Sequence, residues 1–400
     1  MRPERRPLRV LMILESGFPV RGGGGAESQV RTLALELKRR GHRVTVLTPR
    51  VPNAPQARVE RCWGIPVCRL AYPRVRGLGR FALWLRLLAF LYGHGRRYDA
   101  WHVHIAHHLG AIACRVALRL RKPTIVKISG WWELERGLLA PQTGPFARIG
   151  RRWLQQAGAL QAISQRIAAT LAQAGFPRER IVALPNAVDT GRFGMRAAPR
   201  DEAAPLDVLF VGRLAREKDL PTLLAAWARA FPARGRARLR LVGGGVLEAA
   251  LRAQAAELGI AADVEFLGHR DDVEALIGTA DLGVLPSITE GLSNTLLEFM
   301  AGGLPVVASR VSGSEDVVAG GRNGWLVEPG DVAGLTAALE AAAALPRPAL
   351  AALGRNARAD IEAFAGLDSV VDRLVALYRG ADPAALAHAR PAAAQWQGGA

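Results

Sequence analysis

The sequence predicts an α/β protein with two domains of similar size that face a shared cleft. Short apolar runs of strand length alternate with helical patterns along most of the chain. Glycine-rich turns follow several of these runs in both halves. The 400 residues are enough for two ordinary domains, and 50% of them are hydrophobic, which favours two buried cores over disorder.

The first half contains six apolar runs that we interpret as strands. They cover residues 9–14, 44–48, 103–106, 123–128, 160–163 and 181–184. A glycine loop at 22–25 follows the first strand, and a helical pattern over 26–40 then ends at Gly41.

The glycine loop can bring backbone amides close to a phosphate or a sugar. A dinucleotide-binding oxidoreductase is the obvious rival interpretation. However, the spacing Gly22-x-Gly24-x-x-Glu27 lacks the third glycine of that motif, and the second strand ends in Thr48 rather than in an acid. The oxidoreductase interpretation is therefore weak.

An apolar run over 81–92 is bracketed by arginines. Trp84 and Phe90 make it a candidate helix for a membrane interface. The alternative, which we favour, is a domain helix that packs on the sheet with its arginines at the rim.

Four histidines lie close together at 102–108. The spacing of His102 and His104 follows a strand, and no acidic or cysteine ligand is near, so a metal site is not indicated. We interpret His104 as a polar group at the carboxyl end of a strand, where open α/β sheets place ligands. The next strand leads to a loop whose Trp131 and Trp132 suit a sugar face or an acceptor.

The second half repeats the α/β alternation after a Pro-, Ala- and Arg-rich linker at 194–205. A strand at 208–211 leads to a loop with three basic groups, Arg213, Arg216 and Lys218. Arginine grips phosphate with two parallel hydrogen bonds and lysine acts as a mobile point charge, although basic loops are also ordinary solvated surface. Further strands at 239–242 and 264–266 are followed by the turns 243–245 and 268–270, the second of which holds His269.

Residues 286–309 form a strand-end, loop, helix and strand unit. Glu290 lies in the loop beside Gly291 and Asn294, and Glu298 lies eight residues later in the helix. This arrangement offers a carboxylate beside the positive end of a helix, where free N–H groups bind oxygen-rich ligands. The two acids also fit a simple helix cap, and the segment alone does not decide between these interpretations.

The chain ends in a short strand at 325–327 and helices at 331–344, 347–363 and 367–379. The Ala- and Pro-rich tail that follows is predicted to be disordered.

The net charge of +18 is unevenly distributed. Residues 1–200 carry 35 basic and 10 acidic side chains, whereas residues 201–400 carry 18 and 25. A compositional preference for arginine cannot make one half basic and the other acidic. The basic half therefore indicates an anionic partner: a membrane surface, a phosphorylated acceptor or nucleic acid.

Other classes are not supported by the composition. No run of 18 uncharged apolar residues indicates a spanning helix, and the first apolar run is a better strand than a signal peptide. Cys62, Cys68 and Cys114 lack metal-site spacing and suit a reducing cytoplasm. No Asp-x-Asp pair indicates a metal–diphosphate site.

Taken together, the motifs resemble the retaining glycosyltransferases of family 4, which have the GT-B architecture of two Rossmann-like domains. The similar segments lie in family order at 22–27, 99–104, 162–164, 185–189, 211–218, 290–298, 313–315 and 323–324. Ala187, Ser293 and Ser129-Gly130 depart from the commoner Gly, Pro and His-Gly. The last departure weakens the transfer of detail about the acceptor side.

The resemblance implies a division of the chain. It implies an acceptor-binding domain at 1–193, the linker 194–205 and a nucleotide-sugar-binding domain at 206–365. A helix at 366–380 would pack back on the first domain, and a disordered tail would occupy 381–400.

The resemblance also implies site residues. The catalytic residues would be Glu290, His104, Arg213 and Lys218. Donor binding would involve Gly24, Gly25, Arg213, Lys218, His269, Glu290, Gly291, Leu292, Ser293, Asn294 and Glu298. The acceptor side would involve Glu27, Trp131 and Trp132.

The implied reaction is metal-independent transfer of a sugar with retained configuration from a nucleotide diphosphate sugar, without a cofactor. The acceptor would be a lipid-linked or cell-surface glycan. The enzyme would be cytoplasmic and peripheral on the inner face of the membrane, with no nucleic-acid partner. A nucleotide-sugar epimerase of the same fold and a binding-only protein for an anionic partner are the alternatives.

Overall fold

The computed structural model describes residues 6–19, 24–51, 56–73, 75, 78–141, 144–196, 201–233 and 235–387. These residues form two compact units. Unit 1 runs to Ala187 and includes the chain again from Leu367, and unit 2 is Val188–Gly366.

Strands and helices alternate along both units. In chain order the strands are β1 (Arg9–Ile13), β2 (Arg43–Pro49), β3 (Val59–Cys62), β4 (Ile65–Leu70), β5 (Ala100–Val103), β6 (Thr124–Ile128), β7 (Ala159–Ala162), β8 (Ile181–Ala183), β9 (Leu206–Val211), β10 (Ala237–Val242), β11 (Val264–Gly268), β12 (Leu282–Leu285), β13 (Val306–Ser309) and β14 (Gly324–Val327). The helices are α1 (Gly25–Arg39), α2 (Leu78–His94), α3 (His108–Leu120), α4 (Trp132–Glu135), α5 (Pro145–Leu154), α6 (Gln165–Gln173), α7 (Leu220–Ala230), α8 (Glu248–Glu257), α9 (Val273–Thr279), α10 (Asn294–Ala301), α11 (Ser314–Val317), α12 (Val332–Ala344), α13 (Arg347–Ala365), α14 (Leu367–Tyr378) and α15 (Pro383–Ala387).

The sheet of unit 1 has the order β3-β4-β2-β1-β5-β6-β7-β8 within the described residues. Every neighbouring pair is parallel except β3 and β4. The loops that follow the parallel strands therefore share one edge, which we call the carboxyl edge. The strand order reverses between β1 and β5, and such a switch point is where open α/β sheets bind ligands.

The core of unit 1 explains why the C-terminal helix α14 belongs to it. α1 buries Val30, Leu33 and Leu37 at helical spacing against the sheet. α14 adds Leu374 and Tyr378 to the same apolar cluster. Burial of such side chains stabilises the fold by about 1.5–3 kcal/mol each, so the helix is an integral part of this core.

Ion pairs reinforce the contact between α1 and α14. Arg40 pairs with Asp368 and with Asp372, and Glu36 pairs with Arg39 and Arg40. Arg40 lies 328 and 332 positions from Asp368 and Asp372 in the sequence, so the charge pattern of neither helix predicts this contact by itself.

One hairpin of unit 1 was not predicted from the sequence. β3 and β4 pair antiparallel around a turn in which Trp63 and Gly64 both adopt positive φ, 52° and 74°. Three of the four residues of β3 are exposed, so this strand lacks an apolar run; β4, whose residues are alternately buried and half-buried, was not predicted either.

Three of the predicted boundaries differ in the structure. The first domain was predicted to end at 193, whereas unit 2 begins at Val188. Residues 194–196 of the predicted linker belong to unit 2, where Arg196 pairs with Asp281 at 2.9 Å; residues 197–200 lie outside the described residues. The predicted disorder from 381 is wrong at α15, because Leu386 packs on the core of unit 1 and Asp382 accepts from the Ala384 amide at 3.0 Å. Residues 388–400 of that tail lie outside the described residues.

The sheet of unit 2 has the order β11-β10-β9-β12-β13-β14, and its pairs are all parallel within the described residues. Its central strands are buried on both faces, as expected for a parallel sheet covered by helices. The loops after β9, β10, β11 and β12 consequently meet at one carboxyl edge. None of the helices in the described residues combines the length and the apolar character that a membrane span requires.

Candidate functional site

Four loops meet at the carboxyl edge of unit 2 through backbone hydrogen bonds. Leu214 N–H donates to the carbonyl of Gly244 at 3.0 Å, and Gly243 N–H donates to that of Gly268 at 2.7 Å. Ile288 N–H donates to the carbonyl of Glu217 at 3.0 Å, which joins the loop after β12 to the loop after β9. The loops of unit 2 that were predicted to bind the donor therefore form one connected surface, whereas Gly24 and Gly25 lie in unit 1.

Glycines allow this close approach of backbones. Gly243 has a φ of +125°, and a Cβ on it would lie 1.9 Å from the carbonyl oxygen of Gly212. Gly313 has a φ of +84°, and a Cβ there would lie 2.4 Å from the carbonyl oxygen of Gly291. Side chains at these positions would separate the loops, because the conformation is strained for L-residues and the space is occupied.

Lys218 and Glu290 form an ion pair at the centre of this surface, between Nζ and Oε1. Ser287 Oγ donates to the same carboxylate oxygen at 3.0 Å. The Lys218 and Glu290 side chains are 13% and 18% exposed, so both are open at one side. Two residues that lie 72 positions apart in sequence are thus joined at one point.

Arg213 and His269 lie at the rim of the same surface. The Arg213 side chain is 68% exposed, and its guanidinium group pairs with Glu217 at 2.8 Å. His269 is exposed, and its Nε2 would be 2.8 Å from a Cβ on Gly244, so the ring lies against the loop after β10. Both side chains have room to turn towards a ligand.

The loop from Gly291 to Ser293 is buried and leads into α10. Ser293 is the N-cap residue, but its side chain makes no capping hydrogen bond. Asn294 begins the helix, whose first turn carries the positive end of the helix dipole. The geometry suits oxygen-rich ligand groups at this helix start.

Glu298 lies one turn further along α10. Burial raises the pKa of Glu298 to about 7; Arg192 lowers that pKa and Glu274 raises it. Arg192 and Glu274 pair with each other, so the positive charge of Arg192 is partly neutralised. A carboxyl group in such a site titrates near neutral pH.

In unit 1, His104 is completely buried just after β5. Its ring stacks on that of His102, with centroids 4.1 Å apart, and neither of its ring nitrogens has a hydrogen-bond partner in the described residues. Burial, with His102 and Lys127 nearby, lowers the pKa of His104 well below its usual value. The ring is therefore neutral, with one nitrogen that donates and one that accepts.

His102 fixes the lower layer of this stack. Its Nδ1 lies 2.7 Å from the hydroxyl of Tyr378 and its Nε2 lies 3.2 Å from Oε1 of Gln161. α14 therefore contributes directly to the support beneath His104.

Lys127 and Glu133 were not predicted as site residues, yet both are buried, and Lys127 lies close enough to His104 to lower the pKa of that ring. The carboxylate of Glu133 accepts from the amides of Ala106 and Ser129 at 2.6 Å and from that of Gly130 at 2.9 Å. Burial raises the pKa of Glu133 to about 8 and lowers that of Lys127 to about 7. A charged residue inside the apolar run of β6 was the available signal for Lys127.

The predicted acceptor-side residues lie on the loops after β6 and before α1. Trp132 is 47% exposed and begins the short helix α4, and Trp131 precedes it, half-buried. Glu27 lies in the first turn of α1, and its carboxylate lies against Gly24. Gly25 is the first residue of that helix. Residues 22 and 23 of the predicted glycine loop at 22–25 lie outside the described residues.

No group of three or more His, Cys, Asp or Glu side chains in the described part of the chain is arranged to hold a metal ion. The histidines of unit 1 instead stack on one another and pair with neighbouring side chains. His107 Nδ1, for example, lies 2.7 Å from Glu15 Oε1, and this hydrogen bond raises the pKa of His107.

Two family models match most of the chain. One described as Glycosyltransferase Family 4 matches residues 23–192, and one described as Glycosyl transferases group 1 matches residues 205–344.

Individual relatives agree with these models. The D-inositol 3-phosphate glycosyltransferase of Geodermatophilus obscurus is 31% identical over 389 residues, which cover 90% of this chain and 85% of the relative. The putative colanic acid biosynthesis glycosyltransferase WcaL of Escherichia coli (strain K12) is 34% identical over 209 residues, 50% of this chain and 51% of the relative. The chain thus spans about half the length of WcaL.

A solved structure shows the same fold. The structure of Anabaena HepE in complex with UDP and glucose superposes with a TM-score of 0.74 at 21% identity, and covers 93% of this chain and 100% of the other.

Proposed function

Because the chain belongs to glycosyltransferase family 4, we propose that it transfers a sugar from a nucleotide diphosphate sugar to a glycan acceptor. Family membership and the predicted GT-B fold of two Rossmann-like domains are confirmed. WcaL is named for colanic acid biosynthesis, which supports a glycan acceptor. HepE was solved with UDP and glucose, which supports a nucleotide-sugar donor.

The observation that carries this proposal is the Lys218–Glu290 ion pair at the carboxyl edge of unit 2. The pair holds an ammonium group beside a carboxylate that can accept from sugar hydroxyls. Diphosphate oxygens would compete with Glu290 for Lys218, and Arg213 would turn in from the rim to bind them. The two cations would stabilise charge that develops on the leaving diphosphate, and the proposed reaction therefore needs no metal.

The rest of the donor would lie along the start of α10. Glu290 and the amides of residues 291–294 would hold sugar and phosphate oxygens, and the Glu298 carboxylate would accept from the ribose hydroxyls. His269 would contact the donor from the loop after β11. In these contacts a hydroxyl group of the ligand would donate to a carboxylate of the protein, and a phosphate group would accept from N–H groups.

In unit 1 the proposed role of His104 is to hydrogen-bond the transferred sugar. Its two ring nitrogens have no partner in the described residues, and leaving buried polar atoms unpaired costs about 1–3 kcal/mol each. A sugar hydroxyl can both donate and accept, so it would satisfy the neutral ring. Gly24, Gly25 and Glu27 would act nearby at the start of α1.

We propose that transfer retains the configuration of the sugar by front-face departure. Retaining glycosidases use two carboxylates about 5–5.5 Å apart, one of which is the nucleophile. In the proposed donor site only Glu290 is assigned to the reacting sugar, where it accepts from sugar hydroxyls, so the proposal contains no such pair of carboxylates. The leaving phosphate would instead take the proton of the acceptor hydroxyl.

The test is release of nucleotide diphosphate that depends on an added acceptor. Lys218→Ala, Arg213→Ala and Glu290→Ala are each expected to lower kcat by orders of magnitude with an unchanged unfolding temperature. Arg229→Ala, an exposed arginine at the end of α7, is the matched control and is expected to be active. Turnover of Lys218→Ala at the wild-type level would refute the proposed contact of Lys218 with phosphate. A product with inverted anomeric configuration in NMR spectra would refute the front-face mechanism.

We further propose that the acceptor is lipid-linked and that unit 1 binds an anionic membrane. The helix α2 exposes Leu78, Phe81 and Leu85 at 60%, 56% and 66%, and the neighbouring Arg80 and Arg86 are exposed as well. This surface is more apolar than expected for the domain helix that we favoured from the sequence. Apolar side chains flanked by arginine suit a surface of anionic lipid.

A continuous series of aromatic rings links this helix to the acceptor side. Phe81 contacts Trp84, with ring centroids 5.2 Å apart, and Trp84 contacts His108 at 5.3 Å. His108 contacts His107 at 4.5 Å, and His107 contacts Trp132 at 6.0 Å. A lipid-linked acceptor held at α2 would therefore present its sugar end towards Trp132.

Vesicle co-sedimentation tests the membrane proposal. Binding to phosphatidylglycerol vesicles is expected to exceed binding to phosphatidylcholine vesicles and to fall with salt, because the Debye length shortens to about 3 Å at 1 M. Phe81→Ser/Leu85→Ser is expected to weaken it, with Leu118→Ser on α3 as the control for an exposed apolar side chain. Equal binding to both kinds of vesicle would refute the proposal.

A further inference from the structure

A cavity of about 560 Å³ lies in unit 1 at the amino ends of β1, β2 and β4, the opposite edge of the sheet from His104. Five elements that are separate in sequence converge on it. Each contributes a cationic side chain, and we call these the basic cavity residues: Arg9, Lys38, Arg43, Arg61 and Arg97.

The basic cavity residues have no neutralising partners. None of the residues that line the cavity is an acid, and none of the five cations forms an ion pair with a carboxylate of the described residues. Nearby arginines behave differently: Arg39 and Arg40 pair with Glu36, and Arg69 pairs with Glu60. Carboxylates therefore pair with these neighbouring arginines, but with none of the five cations that line the cavity in the described residues.

Two of the five cations, whose side chains are all exposed, lie side by side on neighbouring strands. Arg9 and Arg43 are in register as the first residues of the parallel strands β1 and β2, so their side chains emerge side by side. Like charges on neighbouring strand positions destabilise a sheet. Asp99 accepts from the backbone amide of Arg9 at 2.7 Å, but it does not line the cavity.

Most hydrogen-bond donors of the cavity are uncommitted. Lys38 Nζ donates to the carbonyl of Trp63 at 3.1 Å, and Arg61 makes a single long contact of 3.4 Å to the carbonyl of Gly64. An arginine has five N–H donors, so several remain to face the cavity. Tyr98 forms part of the wall beside Arg97, with a polar hydroxyl on an apolar ring.

We propose that the basic cavity is a second anion site, which binds a ligand with more than one phosphate group. Convergent guanidinium groups match phosphate oxygens, and the volume falls within the range of small-molecule sites, about 300–1,000 Å³. Binding relieves the repulsion among the five cations. The site is separate from the proposed donor site in unit 2, and it does not depend on the proposed transfer reaction.

Calorimetric titration with tripolyphosphate tests the site. The titrations are made in a Lys218→Ala background, so that the proposed donor site contributes little to the signal. Arg43→Ser/Arg61→Ser is expected to weaken binding at least tenfold. The charge-matched control Arg119→Ser/Arg178→Ser, two exposed arginines elsewhere in unit 1, is expected to change it less than twofold.

If the two double variants weaken binding equally, the overall charge rather than the cavity accounts for it, and the proposal is overturned. If neither variant weakens binding, the cavity residues do not hold the anion, and the proposal is overturned as well. Unchanged thermal unfolding of Arg43→Ser/Arg61→Ser excludes loss of folding as the cause. Phosphatidylglycerol vesicles distinguish the source of the ligand. If the ligand is a lipid headgroup, Arg43→Ser/Arg61→Ser co-sediments several-fold less than the control variant. If the ligand is a free phosphorylated molecule, Arg43→Ser/Arg61→Ser co-sediments as the control variant does, while its binding of tripolyphosphate falls.

Discussion

Replacement of Glu298 by glutamine should make unit 2 more stable at alkaline pH and make nucleotide binding weaker. Burial of the carboxyl group raises its pKa from 4.5 to about 7. Between these two values the folded protein keeps a proton that the unfolded chain has lost, so stability decreases as the pH rises through this window. Above it, both states are ionised and the penalty is constant.

The size of the effect follows from the shift. A difference of about 2.5 pKa units corresponds to about 3 kcal/mol at 1.36 kcal/mol per unit, as an upper value. Glutamine has the same shape but no charge to bury. The variant and the wild type should therefore be equally stable near pH 4.5, and the variant should gain up to about 3 kcal/mol by pH 8.

Urea unfolding at pH 4.5 and pH 8, followed by tryptophan fluorescence, measures this difference. Glu340→Gln, on the exposed face of α12, makes the same change of charge and should give no pH-dependent gain. A gain for Glu298→Gln that is the same at both pH values, or a loss at pH 8, would show that burial of the charge is not the cause.

The same variant separates stability from function. If the Glu298 carboxylate accepts from ribose hydroxyls, its loss should weaken UDP binding about tenfold or more, since hydrogen bonds to charged groups contribute about 1.5–3 kcal/mol. Wild-type affinity should rise with pH through 7 as the carboxylate ionises. Tighter binding by the variant at pH 8 would contradict the ribose role.

Three further predictions follow from buried contacts. Tyr378→Phe should destabilise unit 1 by about 1–3 kcal/mol in urea unfolding, because it leaves His102 Nδ1 without its partner at 2.7 Å; an unchanged midpoint would contradict this. Gly243→Ala should lower the unfolding temperature and abolish nucleotide binding. Gly41→Ala is also at positive φ, but its Cβ would have no neighbour within 4 Å, so it should show only the modest cost of backbone strain. Similar effects of the two variants would show that the close approach of the loops is unimportant. Glu133→Gln should raise the KM for the acceptor about tenfold while the KM for the donor stays the same. The reason is that an NH2 group replaces one carboxylate oxygen that accepts from backbone N–H groups. An equal rise in the two KM values would indicate general damage to the fold.

Regular elements were predicted well where apolar patterns are complete. The first helix was predicted at 26–40 and is Gly25–Arg39, and the last was predicted at 367–379 and is Leu367–Tyr378. The exposed strand β3 and the short helix α15 were missed because tertiary contacts, rather than local pattern, hold them in place.

The candidate site shows the same limit. Motif spacing named Lys218, Glu290 and His104, but it did not show that Lys218 pairs with Glu290 or that His104 is buried without partners. These facts depend on distances between residues that are remote in sequence. Glu133 was overlooked because its three backbone contacts come from two different loops.

The contacts of Glu133 have a consequence for engineering acceptor specificity. One side chain clamps the segment after β5 to the segment after β6, so the surface that carries His107 and that which carries Trp132 form a single module. Grafting either segment alone from a relative would leave the buried Glu133 carboxylate, or the backbone amides that donate to it, without hydrogen-bond partners. A productive chimera must therefore exchange both segments together and keep an acid at position 133.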